Sequence, residues 1–184
     1  LRNIYDVAIS PRLDLFTRDN TNDGGGWNVR LSHVIPSAHY GYPTLFKNFP
    51  EDALPALMDY GGGSPCGSLW VSEPGLPAGY GDALYTCDWG RSVVYRHVLP
   101  AEGASYKPEQ SSFVEISRPT DMDVDGEGRL YIASWRNGGF NFSGPNVGFV
   151  VQVTPPGTRE AWRDLKKASG EDLVAGLADL DLLL

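Results

Sequence analysis

A polar, glycine-rich loop, "RDNTNDGGGW", spans residues 18–27 and is the first candidate site. Its acid, amide and hydroxyl groups supply the oxygen ligands that a hard cation such as calcium prefers. Its three consecutive glycines let the backbone approach a ligand closely. The alternative is structural, with Asp19 and Asp23 capping turns and Arg2 pairing with one of them. The functional interpretation predicts a metal site with the ligands Asp19, Thr21, Asn22 and Asp23.

Two arginines form the second candidate site, because each stands just before a predicted strand. Arg2 is followed by Asn3, and Arg118 is followed by Pro119. A guanidinium group can hold an anion through two parallel hydrogen bonds. These positions therefore predict an anion-binding or cofactor-binding surface formed by Arg2, Asn3 and Arg118. The alternative is that the arginines only tether neighbouring loops.

A third motif, "DMDVDGEG", begins at Asp121 and matches the opening of an EF-hand calcium loop. An EF-hand also needs a bidentate acid at loop position twelve, and that position is Ile132. We interpret the motif instead as a strand with Met122 and Val124 facing the core, followed by a hairpin turn.

The other reactive side chains give weaker signals. The sequence does not fix whether the two cysteines, Cys66 and Cys87, form a disulfide. The histidines do not have metal-ligand spacing, so we expect none of them to be a ligand; they are His33, His39 and His97. The sequence contains no phosphate-binding loop and no dinucleotide fingerprint.

A repeat in the sequence positions these candidates. Residues 6–20 align without a gap with residues 121–135, and residues 81–89 form a weaker third copy. Each copy is followed by another apolar strand, so each unit is predicted as strand, turn, strand, loop, strand. The long first interval predicts an insertion at residues 39–65. The copies share a Leu-aromatic pair, at Leu15-Phe16, Leu84-Tyr85 and Leu130-Tyr131.

Multi-stranded units of roughly 40–50 residues are typical of a β-propeller. We therefore predict an all-β fold, with about three blades in residues 1–155. A ring typically has four to eight blades, so we expect the chain to be a fragment of a longer protein. A short helical segment is predicted at residues 156–184, with Thr158 as one N-cap and a capping box at Ser169 and Asp172. Leu173, Leu177 and Leu180 form the apolar face of its second helix.

Charge and hydropathy argue against nucleic-acid binding and against a membrane-spanning helix in this sequence. The net charge of −8 makes nucleic acid an unexpected partner. No apolar run approaches the roughly 20 residues that a membrane-spanning helix needs.

The segments "LRNIYDVAISP", "DNTNDGGGWNVRLSH" and "RPTDMDVDGEGRLYIASW" carry a family resemblance over residues 1–155. They resemble the soluble glucose and sorbosone dehydrogenases, which are six-bladed propellers that bind pyrroloquinoline quinone. With the helical tail, the pattern is similar to a group of large bacterial membrane-bound dehydrogenases. Those proteins combine such a propeller with helical (HEAT-like) repeats and a C-terminal cytochrome c domain.

The resemblance implies roles for several residues. Arg2 and Asn3 match the Arg-Asn pair that touches the quinone, and Arg118 matches a later quinone-binding arginine. The backbone carbonyls that hold calcium fall near Thr21 and Asn22, where those enzymes have Gly-Pro. A lysine of those enzymes falls at Gly90 or Arg91 here. Their catalytic histidine lies earlier in the ring, so the resemblance implies that this chain lacks the base and is inactive alone.

The implied function is oxidation of a sugar or alcohol by a quinoprotein in the bacterial periplasm or cell envelope. The implied cofactors are pyrroloquinoline quinone and calcium, with haem only in a separate domain. The implied partners are the remaining blades and the downstream helical and cytochrome domains.

Two alternatives remain open. One is a calcium-dependent lactonase-like propeller with Asn20, Asn22 and Asp121 near the metal. The other is a propeller that only binds a glycan or protein, for which loop aromatics suit sugar stacking; these are Trp27, Tyr40, Tyr42, Trp89 and Trp135.

Overall fold

The protein is described by a computed structural model that covers residues 1–21, 28–42, 48–73, 76–77, 79–125, 128–135, 147–154 and 165–176.

The described chain forms three antiparallel sheets that follow one another along the sequence. The first sheet has the order β1 (Val7–Ile9), β2 (Leu15–Thr21), β3 (Asn28–Val34) and β4 (Met58–Gly62). The second has the order β5 (Pro65–Val71), β6 (Ala83–Asp88), β7 (Val93–Val98) and β10 (Glu109–Glu115). A small hairpin lies between β7 and β10, formed by β8 (Ala101–Glu102) and β9 (Ser105–Tyr106). The third sheet contains β11 (Pro119–Val124), β12 (Leu130–Trp135) and β13 (Gly148–Val153).

The sheets confirm the repeat predicted from the sequence. Each Leu-aromatic pair lies on the second strand of its sheet, on β2, β6 and β12. The third motif also forms a strand and turn as predicted, because β11 pairs with β12 through a turn that Asp125 closes. The all-β architecture is that of blades in a β-propeller.

The predicted insertion at residues 39–65 was wrong in part. Residues 58–62 of this segment form β4, the fourth strand of the first sheet, and Pro65 begins β5. The units with four strands are therefore complete blades. The sequence signal was weak because these segments contain several glycines and prolines, which are depleted in strands.

Apolar side chains pack between neighbouring sheets. Phe16 and Leu31 of the first sheet pack with Leu84 of the second. Cys87 and Val94 of the second sheet pack with Met122, Leu130 and Ile132 of the third. The first strands of the three sheets lie next to one another, because β1 contacts β5 and β5 contacts β11. The three blades are therefore arranged around these first strands.

The outer faces of the first and third sheets remain exposed. Ile9 of β1 is 55% exposed, and Val150 of β13 is 65% exposed. Apolar strand residues in such positions normally pack against another layer, and in the described chain these two faces have no such layer.

The C-terminal helix α1 (Gly170–Gly176) begins with the predicted capping box. The Ser169 hydroxyl accepts from the backbone N–H of Asp172, and the Asp172 carboxylate accepts from the backbone N–H of Ser169. Thr158, Leu177 and Leu180 lie outside the described residues. No helix in the part of the chain that the structure describes is long and apolar enough to cross a membrane.

Replacing Gly67 with alanine is expected to lower the free energy of unfolding by about 3 kcal/mol. A Cβ at Gly67 would lie 2.6 Å from the Cα of Asp121, so β5 and β11 would have to separate. Urea denaturation measures the effect. Gly81→Ala is the control, because the nearest atom to its Cβ is 3.9 Å away. Equal stability of the two variants would contradict this account of the contact between blades.

Candidate functional site

In each blade, a side chain near the end of the second strand forms a hydrogen bond with the segment that precedes the first strand. Asp19 and Asp88 each lie four residues after the leucine of their repeat pair. The Asp19 carboxylate accepts a hydrogen bond from the backbone N–H of Arg2 at 3.2 Å. The Asp88 carboxylate accepts one from the backbone N–H of Ser64 at 3.0 Å. The aspartate at this position of the repeat therefore binds the equivalent segment, at the same end of the blade, in both the first and the second blade.

The third blade uses the same position with a different side chain. Ser134 replaces the aspartate and donates its hydroxyl to the carbonyl of Ser117. Arg118 follows directly and has a φ of +46°, while Asn3 in the first blade has a φ of +52°. Asn3 and Arg118 thus occupy matched positions with the same left-handed backbone, which turns the chain into the inner strand.

Asp19 is a buried partner of Arg30. Asp19 and Arg30 face each other on β2 and β3. The guanidinium donates to both carboxylate oxygens, at 3.0 Å from Nε and 2.6 Å from Nη2. Asp19 is 0% exposed. A cation bound by this carboxylate would have to displace Arg30, so the predicted metal role competes with an ion pair.

The other predicted metal ligands are only partly covered. Thr21 is the last residue of β2, and its backbone is described. Asn22 and Asp23 lie outside the described residues. Among the residues that the structure does describe, no group of three or more His, Cys, Asp or Glu side chains could hold a metal ion.

A buried polar network joins the first and second blades. Arg18 of β2 donates to Asp88 at 3.1 Å and to the Thr86 hydroxyl at 2.9 Å. Thr86 also contacts Nε2 of His97 at 2.9 Å, and the Tyr60 hydroxyl contacts Nδ1 at 3.2 Å. Because its members come from both sheets, this network links the two blades through buried hydrogen bonds and an ion pair.

Stability is expected to fall as pH drops from 6.5 towards 3, because of His97. Burial, together with the nearby Arg18 charge, lowers the pKa of His97 from 6.5 to about 3. The unfolded chain therefore binds a proton in this range that the folded chain does not bind. The slope from this residue is at most about 1.4 kcal/mol per pH unit. Urea denaturation between pH 6.5 and 4.5 measures it.

His97→Gln should flatten this slope, whatever its effect on stability at pH 7. His39→Gln serves as the control, because His39 lies in a loop outside the network. A slope that His97→Gln leaves unchanged would show that His97 does not carry the effect.

The Arg118 side chain lies on Trp89. Its guanidinium carbon is 4.3 Å from the centre of the indole ring. Its Nη1 donates to the carbonyls of Trp89 and Gly90, at 2.8 and 2.9 Å. Arg2 contacts a different ring, with its guanidinium carbon 5.8 Å from the Tyr42 centroid. The two arginines therefore lie at different aromatic side chains.

A groove of about 1190 Å³ opens at the same end of the blades. Asn20, Trp89 and Trp135 line it, and each lies five residues after the leucine of its repeat pair. The two indoles meet edge to face, with centroids 5.9 Å apart. Asn3 and Arg91 also line the groove. Asn20 donates to the carbonyl of Gly63 at 2.7 Å.

The sequence predictions found part of this groove. Asn3 was predicted as a site residue, and the two tryptophans were noted only as loop aromatics that suit sugar stacking. Trp89 and Trp135 occupy the same position in the repeat, one residue after Asp88 and Ser134. This shared position was the sequence signal that could have placed the two tryptophans in one site. Tyr40, noted for the same reason, is 7% exposed and bonds to the backbone of His33 and Ile35.

Both cysteines are free thiols in the structure. Burial raises the pKa of Cys66 to about 11, and it also raises the pKa of Cys87. High thiol pKa values disfavour the reactive thiolate.

The fold is that of part of a β-propeller, and the solved structures that the chain is similar to include sugar dehydrogenases. An oxidoreductase described as a glucose dehydrogenase, from Thermus thermophilus, superposes with a TM-score of 0.66 and 18% identity. The quinone-bound aldose sugar dehydrogenase from Streptomyces coelicolor gives 0.62 and 15%. A further glucose dehydrogenase gives 0.59 and 16%.

These matches cover 82%, 82% and 83% of this chain, but only 45%, 42% and 44% of the three neighbours. The chain therefore spans less than half the length of the structures that it matches. No family model and no curated protein matches the sequence.

Proposed function

We propose that the chain forms three blades of a quinoprotein-like dehydrogenase propeller that oxidises a sugar or alcohol. Its groove would hold the cofactor or substrate. The observation that carries the proposal is a pair of cations at the groove: Arg91 lines it, and Arg118, which does not line it, is fixed on the groove-lining Trp89. The fold shared with sugar dehydrogenases supports the same function.

Arg91, which lines the groove, and Arg118, which lies on the groove-lining Trp89, fit a planar, anionic cofactor. Pyrroloquinoline quinone has three carboxylates, which require cationic partners. Arg91 donates from Nε and Nη2 to the carbonyls of Gly62 and Tyr60, and Arg118 donates from Nη1. Within the described part of the chain, Nε and Nη2 of Arg118 make no hydrogen bond. Both guanidinium groups are thus oriented in advance and keep donors for a ligand.

The described residues do not fit a calcium site by themselves. Asp19 is held by Arg30, and the described chain offers no other cluster of acids. We therefore place the proposed calcium at the backbone of Thr21 and at Asn22 and Asp23, and we route no chemical step through it.

The roles of the chain's own residues follow from this arrangement. The quinone, when bound, supplies the acceptor for two electrons from the hydroxyl-bearing carbon of the substrate. Arg91 and Arg118 would neutralise its carboxylates. Trp89 and Trp135 would exclude water from one side of the groove. His97 has both ring nitrogens in hydrogen bonds and is 0% exposed, so we propose that another blade supplies the base.

The same proposal includes the remaining blades as partners, and the exposed faces at Ile9 and Val150 are where they would pack. It also includes downstream helical and cytochrome c domains, with haem as the next electron acceptor. The bacterial periplasm or cell envelope is the proposed location.

The test is a titration of the complete protein with pyrroloquinoline quinone and calcium, followed by absorbance. Arg118→Ala should weaken quinone binding by about 10- to 100-fold, because a charge-assisted hydrogen bond contributes about 1.5–3 kcal/mol. Arg129→Ala is the control, since Arg129 lies at the β11–β12 turn with Asp125. Equal affinity of all three proteins would reject the proposal. Oxidation of aldoses with an artificial electron acceptor then tests the substrate class.

A further inference from the structure

A second polar cluster lies where the β8–β9 hairpin of the second blade contacts the first blade. It consists of Asp14, His33, Ser105 and Tyr106, and we name it the serine cluster. None of these residues lines the groove. All four belong to the described chain.

The serine cluster has the arrangement of a nucleophile, a base and an orienting acid. The Ser105 hydroxyl lies 3.1 Å from Nδ1 of His33. Nε2 of the same ring lies 3.3 Å from a carboxylate oxygen of Asp14. Because the carboxylate can only accept, the proton of neutral His33 belongs on Nε2. Nδ1 is then the acceptor for the Ser105 hydroxyl, which is the tautomer that a general base needs.

Neighbouring aromatic groups hold this geometry. The Tyr106 hydroxyl donates to the second oxygen of Asp14. The Phe16 ring stacks on the imidazole of His33, and the Tyr106 ring meets it edge to face, with both centroids 5.3 Å away. Because these contacts keep the His33 ring from rotating, the lone pair of Nδ1 stays directed at the Ser105 hydroxyl.

The cluster is also reachable from solvent. The side chains of His33 and Asp14 are 13% and 26% exposed. Ser105 is half-buried and follows the two-residue turn of the hairpin, where Gly103 has a φ of +61°.

His97 provides an internal comparison for this geometry. It also contacts a hydroxyl, that of Thr86, but its other nitrogen faces Tyr60 and not a carboxylate. His97 is 0% exposed, so no substrate can reach it. Both histidines contact a side-chain hydroxyl. Of the two, only His33 also contacts a carboxylate and is exposed to solvent.

We propose that Ser105 is the nucleophile of a second, esterase-like site that acts on small esters. Ser105 Oγ forms a bond to the acyl carbon while its proton passes to Nδ1 of His33. The ester C–O bond breaks, and the leaving alkoxide takes that proton. Water then attacks the acyl carbon and gives a proton to Nδ1 of His33. The bond between the acyl carbon and Ser105 Oγ breaks, His33 returns the proton to Ser105 Oγ, and the carboxylic acid is released.

The experiment uses the unaltered chain first. It is treated with a fluorophosphonate, and mass spectrometry locates the adduct, while hydrolysis of p-nitrophenyl acetate is followed by absorbance. We expect a single adduct on Ser105 and a burst of p-nitrophenol. His33→Gln should slow labelling by about 100-fold, which is the usual size of general-base assistance.

Ser105→Ala should abolish both signals, and Ser111→Ala, at a serine of β10, should change neither. The wild-type adduct does not depend on whether a variant folds, and thermal melts check the folding of each variant. No adduct on Ser105, or labelling as slow as that of Ser111, would overturn the proposal. The cluster would then serve only to join the two blades. This result is independent of quinone binding at the groove.

Discussion

Arg18→Met is expected to lower the free energy of unfolding by about 3–5 kcal/mol, which is the usual cost of leaving a buried charge unpaired. Arg18 and Asp88 have side chains that are each 1% exposed, and they belong to different blades. Methionine fills much of the space, but it leaves the Asp88 carboxylate without its guanidinium partner. Urea denaturation at pH 7 measures the loss.

An exposed ion pair with a short contact serves as the matched control. Arg129 contacts Asp125 at 2.6 Å, but the two side chains are 36% and 27% exposed. Arg129→Met should therefore cost about 0–1 kcal/mol. Adding Asp88→Asn to Arg18→Met should recover part of the loss, because the unpaired charge is removed. A loss at Arg18 as small as that at Arg129 would contradict the role of the network between the blades.

Asp19→Asn is expected to destabilise the protein by about 3–5 kcal/mol as well, because it leaves the buried Arg30 without its carboxylate. Arg30 is 2% exposed and donates two hydrogen bonds to Asp19. The loss should be the same in calcium and in a chelator. Thermal melts under both conditions separate a structural role from a ligand role.

Asp123→Asn is the control for Asp19→Asn. Asp123 lies exposed on β11, where its carboxylate accepts from the next backbone N–H, and the change should stay within about 0.5 kcal/mol. If Asp19→Asn destabilises the protein only when calcium is present, Asp19 is a metal ligand and the ion-pair account fails.

The repeat was predictable because its signal is local. The Leu-aromatic pairs of β2, β6 and β12 place a buried side chain at the same step of each unit, and the strands follow directly. The start of β5 was assigned to an insertion, because packing between blades, and not strand propensity, accounts for the residues there. Gly67 gives β5 its close contact with Asp121, and Pro65 begins the strand. Neither residue favours a strand on its own.

The partners of polar side chains were much less predictable. Asp19 was interpreted as a calcium ligand from its loop, but its partner Arg30 comes from the facing strand. Arg18 reaches Asp88, and Ser105 reaches His33, across two separate blades. Such pairs depend on how the blades pack against each other, and that packing cannot be predicted from short-range patterns in the sequence.

The sequence did group Arg2, Asn3 and Arg118, because each lies just before the first strand of its repeat, but it did not match Asn3 with Arg118. Asn3 and Arg118 share a step of the repeat, and the structure gives both a positive φ. The different contacts of the Arg2 and Arg118 side chains could not be predicted. They depend on the positions of Tyr42 and Trp89.

A structure of the complete protein with pyrroloquinoline quinone and calcium shows directly whether the groove holds the quinone. We expect quinone density in the groove beside Trp89 and Trp135, with a carboxylate within about 3 Å of the Arg118 guanidinium. Arg30 should remain bound to Asp19 in that structure. A quinone bound elsewhere, or a groove that stays without ligand at saturating quinone, would contradict the account.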